Sequence, residues 1–238
     1  MWTRIGGPQV LTASGEEGHG RLVGRATESG ALRDLLRAHR LVTVTGPAGV
    51  GKSRLAAAVV GGAREAPWRH VVPVCWQGPG RAEPGALAAA VVRSVSGVRP
   101  RRDPAGVDAV LRALPGGRNL LFVDDADPAR EECVALVQHL LMTVPGLRVL
   151  VTARQPLGLG DERVLRLGPL DIHGPGTADG PGAGGTHGPA VELFLARART
   201  VVEGFRPEGA DLDAVTEICE TVEGMPLAVE LAAAQLDR

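Results

Sequence analysis

The stretch from Leu41 to Arg54, LVTVTGPAGVGKSR, constrains this chain more than any other. Its β-branched apolar start predicts a strand over Leu41–Thr45, Gly46 opens a loop, and Gly51-Lys52-Ser53 leads into LAAAVV, a helix-forming run. The spacing of Gly46, Gly51, Lys52 and Ser53 fits G-x-x-x-x-G-K-[ST], the phosphate-binding P-loop. Strand, loop and helix in this order call for a parallel α/β sheet.

The residue types follow from the chemistry. A polyphosphate needs several backbone N–H groups turned inward at once, and Gly46, Gly49 and Gly51 reach the necessary conformations without steric cost. The following helix adds its free N–H groups and positive dipole end. Lys52 is the candidate point charge for the β- and γ-phosphates, and Ser53 the candidate hydroxyl for Mg²⁺. The whole segment, Gly46, Pro47, Ala48, Gly49, Val50, Gly51, Lys52, Ser53 and Arg54, is the candidate nucleotide cradle. Lys52 is also the only lysine among 26 basic residues, so a strong arginine bias has spared a compact ammonium at this one position.

A second stretch has matching chemistry. Asn119-Leu120-Leu121-Phe122-Val123-Asp124-Asp125 is apolar without alternation, as expected of a strand buried on both faces, and ends in two carboxylates. Ligands of open α/β sheets lie beyond the carboxyl ends of the strands. Asp124 is there to hold Mg²⁺ through water, and Asp125 to orient or activate an attacking water. Arg148-Val149-Leu150-Val151-Thr152 predicts another buried strand, which delivers Arg154 to the same edge as a candidate γ-phosphate contact.

Around these motifs the chain divides. Residues 1–20 show no convincing period and are expected to be a poorly ordered tail or linker, followed by the α/β domain over 21–173. A helix is predicted after Arg25, with Leu32, Leu35 and Leu36 on its apolar face. His70–Cys75 predicts a strand that Pro73 confines to a sheet edge, and Arg163–Leu167 a final, more exposed strand. Residues 174–188 hold seven glycines in fifteen and predict a flexible linker. Three further helices over 189–238 make a small helical domain.

Composition excludes some classes. With a formal net charge of −1 there is no global electrostatic case for nucleic-acid binding, and the basic run Arg99-Pro100-Arg101-Arg102 is expected to be a solvated loop. Cys75, Cys133 and Cys219 lack metal-ligand spacing and are expected to be buried free thiols of a reducing cytosol. No apolar run is long enough for a bilayer, so a cytoplasmic protein without a membrane partner is expected.

With these motifs in place, the chain resembles the STAND class of P-loop ATPases. It looks most like the NB-ARC-like nucleotide-binding module of SARP/AfsR-like and LuxR-type bacterial transcriptional regulators. The resemblance covers residues 21 to 238 and implies a three-layer P-loop fold, a parallel sheet with helices on both faces, followed by the small helical domain. It implies that the strand ending at Thr152 lies between the P-loop strand and the Asp124 strand. By resemblance, Val23, Gly24 and Arg25 border the adenine, Thr152-Ala153-Arg154 is the sensor motif, and Pro226 in Gly224-Met225-Pro226-Leu227 packs against the adenine or ribose. The implied activity is slow, Mg²⁺-dependent hydrolysis of ATP to ADP in a regulatory switch. The implied partners are ATP or ADP, other copies on activation of the full-length regulator, and DNA through domains outside this chain.

Two other classes stand beside this expectation. An ATP-driven motor or other faster P-loop enzyme would use the same cradle and differ in turnover. A guanine-dependent switch of the common type needs an Asn/Thr-Lys-x-Asp motif, and the only lysine already stands in the P-loop.

Overall fold

The computed structural model describes residues 2–4, 11–13, 22–62, 66–75, 83–96, 106–174 and 187–237. The described residues fall into two compact units. Unit 1 holds 1–20, 27–46 and 52–166; unit 2 holds 21–26, 47–51 and 167–238.

Unit 1 contains strands β1 (Trp2–Arg4) and β2 (Leu11–Ala13), which pair antiparallel in the stretch that aperiodicity marks as a tail. Two three-residue strands are too short to leave a period in the sequence. The rest of this unit is built from α1 (Ala26–Ala38), β3 (Leu41–Thr45), α2 (Lys52–Gly61), β4 (His70–Cys75), α3 (Ala86–Ser96), α4 (Val107–Ala113), β5 (Asn119–Asp124), a 3₁₀ turn (Asp127–Ala129), α5 (Arg130–Thr143), β6 (Leu147–Ala153) and β7 (Glu162–Arg166).

Strands β3 to β7 form one five-stranded parallel sheet in the order β4-β5-β6-β3-β7. The strand ending in Thr152 and Ala153 therefore lies between the P-loop strand and the Asp124 strand, as the resemblance implies. Pro73 sits on the edge strand β4 opposite Phe122, where its missing N–H leaves no interior ladder incomplete. At the other edge, β7 is only half-buried, in line with its alternating sequence.

Central strands β3, β5 and β6 are almost wholly buried. Leu121, Val123, Val149 and Val151 pack with Leu87, Val91, Val110, Val137 and Leu140 from α3, α4 and α5. Alternation turns the equally buried Leu120, Phe122 and Leu150 to the opposite face, where α2 packs on β3 and β6. A sheet covered on both faces is why these strands read as unbroken apolar runs.

Unit 2 is centred on α6 (Pro189–Val201), α7 (Ala210–Thr221) and α8 (Pro226–Ala233), with a 3₁₀ turn over Ala234–Asp237. Phe194, Val191, Val215, Cys219 and Val229 form its core, and Val23, Leu170 and Ile172 pack against them. The last segment of this unit runs from Leu167, before the glycine-rich run, and its Leu170 and Ile172 join the apolar core of the three helices. His173 and His187 pair as an isolated bridge, and residues 175–186 between them lie outside the described residues, as do Arg99 to Arg102.

Gly224 ends the turn after α7 with φ of 61°, and its N–H donates to the Cys219 carbonyl at 2.9 Å. A Cβ at Gly224 would stand 2.2 Å from the Leu170 carbonyl oxygen, so close backbone approach requires glycine there. Cys133 and Cys219 are buried free thiols, and burial pushes them up to about 12 and about 11. The side chain of Cys75 lies outside the description. Among the described residues, no helix is long and apolar enough to cross a membrane.

Candidate functional site

All five strands of the sheet run parallel, so β3, β5 and β6 deliver their carboxyl ends to one edge. From β3 the chain passes through Gly46 into the loop and enters α2 at Lys52. Gly46, Gly49 and Gly51 take φ of 152°, 81° and 96°, a run that L side chains rarely adopt. The Lys52 Nζ donates to the Gly46 carbonyl at 2.9 Å, which folds the ammonium back over its own loop. Burial pulls the pKa of Lys52 below the ordinary lysine value, against the opposing pull of Asp127 and Asp125. Ser53 follows in the first turn of α2, exposed to solvent.

Hydrogen bonds tie the ends of β5 and β6 together. The Thr152 hydroxyl donates to Asp124 Oδ1 at 2.6 Å and accepts the Asp125 N–H at 2.8 Å. One residue on, the Ala126 N–H donates to the Thr152 carbonyl at 2.9 Å. Asp125 leaves the strand with φ of 57°, a left-handed conformation that turns its carboxylate away from the ladder. Partial burial, then the charges of Asp127 and Asp124, raise its pKa above the ordinary carboxylate value, although its outer surface stays open.

Arg154 follows β6 immediately, with its side chain 70% exposed. Its N–H donates to both carboxylate oxygens of Asp127, at 2.9 and 3.1 Å, and its Nε lies 4.0 Å from Oδ2. Lys52, Asp124, Asp125, Asp127 and Arg154 are close enough to influence one another's charge. Unit 1 thus brings together the four residues assigned to chemistry from the sequence, and adds Thr152 and Asp127. Thr152 was legible as the polar residue in a buried strand, and Asp127 as the third acid of the run Asp124-Asp125-Ala126-Asp127.

Arg54 lies on α2 in unit 1, and the remaining candidates belong to unit 2, which includes the loop tip from Pro47 to Gly51. Arg25 is buried, and its Nη2 donates to the Gly168 carbonyl at 2.6 Å and the Val50 carbonyl at 3.4 Å. Its guanidinium therefore braces the loop from behind, while Gly24 stays exposed and Val23 half-buried. Pro226 opens α8, where its missing N–H costs nothing. The next residue, Leu227, donates its N–H to the Gly49 carbonyl at 3.2 Å. A Cβ at Gly49 would lie 3.0 Å from that of Leu227, closer than ordinary van der Waals contact, so a side chain there would crowd α8. Neither contact is signalled in the sequence, because Gly168 and Leu227 take part through backbone atoms.

The donor set fits Mg²⁺. Ser53 and Asp124 offer hard oxygen atoms, and Asp124 keeps its second oxygen outside the bond to Thr152. No group of three or more acidic, His or Cys side chains able to hold a metal occurs among the described residues.

Comparison with known proteins decides the family. A model described as Novel STAND NTPase 1 matches residues 9–157. The chain belongs to that family. This STAND NTPase is 33% identical over 208 residues to a Mycobacterium tuberculosis protein named as a candidate HTH-type transcriptional regulator. The match takes in 86% of the chain and 21% of the relative, so the chain spans about a fifth of that protein's length. Its fold is similar to that of a Walker-type ATPase of Pyrococcus abyssi, with a TM-score of 0.62 at 19% identity over 90% of this chain and 67% of that one. A STAND protein with a tetratricopeptide-repeat sensor from Pyrococcus horikoshii superposes with a TM-score of 0.52 at 17% identity, over 93% of this chain and 32% of that one. The STAND NTPase is thus an α/β P-loop module of a nucleotide-binding family.

Proposed function

We propose that this STAND NTPase is an ATP/ADP switch, a slow Mg²⁺-dependent ATPase module within a larger bacterial transcriptional regulator of the SARP/AfsR-like or LuxR-type class, with an NB-ARC-like mode of action. The observation that carries the reading is the grouping of Lys52, Asp124, Asp125 and Arg154 at one sheet edge. In this reading the loop N–H groups and Lys52 grip the β- and γ-phosphates. Ser53 and Asp124 hold Mg²⁺, which neutralises charge across the phosphate oxygens when bound. Asp125 orients the attacking water, and Arg154 stabilises charge on the γ-phosphoryl group. Water forms a bond to the γ-phosphorus, the bond to the β-γ bridging oxygen breaks, and ADP and phosphate result.

Val23, Gly24, Arg25 and Pro226 are assigned to the adenine and ribose side. The loop from Gly46 to Ser53 passes from one compact unit to the other and back, which supports a regulatory reading. A ligand gripped by that loop can bias the loop's own conformation according to which nucleotide it is. Self-association and DNA binding are assigned to the full-length regulator, the latter through domains outside this chain, and the module itself is assigned to the cytoplasm.

Competition between ATP and GTP, followed by steady-state turnover, tests the assignment. We expect ATP and ADP to displace a fluorescent adenine nucleotide while GTP does not, with turnover below about 1 s⁻¹. Preferential GTP binding contradicts the adenine assignment, and sustained turnover well above that rate favours a motor or another P-loop enzyme.

A further inference from the structure

The chemistry assigned above leaves Asp127 without a role. This residue opens the 3₁₀ turn two positions after Asp125, and its side chain is 26% exposed. Both of its carboxylate oxygens accept the Arg154 N–H, at 2.9 and 3.1 Å. The Arg154 Nε stands 4.0 Å from Oδ2. Among the described residues, no other side chain is bonded to Arg154. The next residue is anchored separately, by Arg130 Nη1 donating to the Gln155 carbonyl at 3.1 Å.

Arg154 is the first residue beyond the sheet, because the ladder between β3 and β6 ends at Ala153. A long, mostly exposed guanidinium on an unpaired backbone would sweep a wide volume, and its contact with a phosphate would carry the full cost of being ordered. A carboxylate that fixes the backbone N–H and lies beside Nε removes much of that freedom in advance. Its position also matters: Asp127 closely follows Asp124 at the end of β5 and Asp125 just beyond it, so the turn that holds Arg154 moves with both.

We propose that Asp127 is a positioning residue for Arg154, locking the arginine to the Asp124-Asp125 turn so that metal carboxylate, water carboxylate and guanidinium meet the γ-phosphate as one rigid set. This inference rests on the reading of Arg154 as the γ-phosphate contact. Asp127 itself touches no substrate. Its effect is confined to steps that involve the γ-phosphate, because ADP offers Arg154 nothing to contact.

Three variants of the full chain test it: Asp127→Ala, Asp127→Asn and Arg154→Ala. In the nucleotide-free protein, amide hydrogen exchange at Arg154 is expected to speed up about tenfold or more in Asp127→Ala. Asp127→Asn, which keeps one acceptor oxygen for the N–H, is expected to restore most of the protection. With Mg²⁺, Asp127→Ala is expected to lower kcat about tenfold and to weaken ATP binding toward the level of Arg154→Ala. Its ADP affinity should stay within about twofold of the parent chain. The double variant should be no worse than Arg154→Ala alone, as expected when one residue acts through the other. Unchanged Arg154 exchange in Asp127→Ala overturns the positioning role whatever the nucleotide data show. Equal losses of ATP and ADP affinity, or additive losses in the double variant, also overturn it by making Asp127 a general structural residue. Faster exchange at Arg154, combined with an Arg154→Ala variant that handles ATP normally, is instead the signature of a failed γ-phosphate reading, and the proposal falls with it.

Discussion

Replacing Lys52 with alanine is expected to weaken both ATP and ADP binding by about a hundredfold or more, while leaving the fold intact. Lys52 is the only lysine in the chain, and its Nζ donates to the Gly46 carbonyl at 2.9 Å. Truncating one partner of a desolvated charge pair costs about 2–5 kcal/mol, which converts to factors from tens to thousands. Arginine is not expected to rescue, because its planar fork is larger and points its donors differently from a compact ammonium. Calorimetric titration of both nucleotides into Lys52→Ala and Lys52→Arg checks this, with the thermal midpoint as a control for folding. Undiminished affinity in the alanine variant would remove the P-loop from the account.

A loss of similar size is expected in a different quantity when Asp125 becomes asparagine. Hydrolysis should fall about a hundredfold or more, the ordinary range for a residue that handles the proton of an attacking water. ATP binding should persist, since asparagine keeps the shape and removes a negative charge near the phosphates. The pH dependence adds a signed test. Asp125 acts as the carboxylate, so activity is lost as pH falls and the group takes up a proton. In the nucleotide-free chain, burial and the charges of Asp127 and Asp124 raise its pKa above that of an ordinary aspartate. The residual activity of Asp125→Asn should lack this acid limb. Single-turnover rates measured across the acid range compare the two directly, and an unchanged limb in the variant would place the titrating group elsewhere.

The parts of this architecture that rest on side-chain pattern were legible in the sequence. Continuous apolar runs gave away β3, β5 and β6 because each is covered on both faces. Pro73 marked β4 as an edge, and glycine spacing marked the loop. The strand order came from the resemblance, because β6 sits between β3 and β5 through contacts distant in sequence. Backbone-mediated features stayed hidden. The bond from Leu227 N–H to the Gly49 carbonyl uses atoms that every residue except proline possesses, so no residue type announces it. Arg25 shows the same limit in another form. Its identity was legible, but its buried bonds to the Gly168 and Val50 carbonyls depend on how the chain returns after β7. The packing of Leu170 and Ile172 with the helical core, ahead of the glycine-rich run, likewise depends on contacts distant in sequence.

Asp124 and Asp125 illustrate the middle ground. Two acids at the end of a buried strand announce a metal and water site, yet the geometry that orients them comes from Thr152, a residue of the neighbouring strand, which is 27 positions from Asp125 and 28 from Asp124. The sequence supplies such chemistry one motif at a time. Parallel pairing then brings the motifs to one edge.

The claim that this module is a switch is tested most directly by comparing amide hydrogen exchange with saturating ADP and with a saturating non-hydrolysable ATP analogue. The Leu227 amide reports on the bond to Gly49, and the Arg154 amide on the end of β6. The account predicts that both nucleotides protect Gly46 to Ser53, whereas Arg154 and the first turn of α8 exchange at different rates in the two complexes. Identical exchange throughout the chain, with both nucleotides bound, would contradict it.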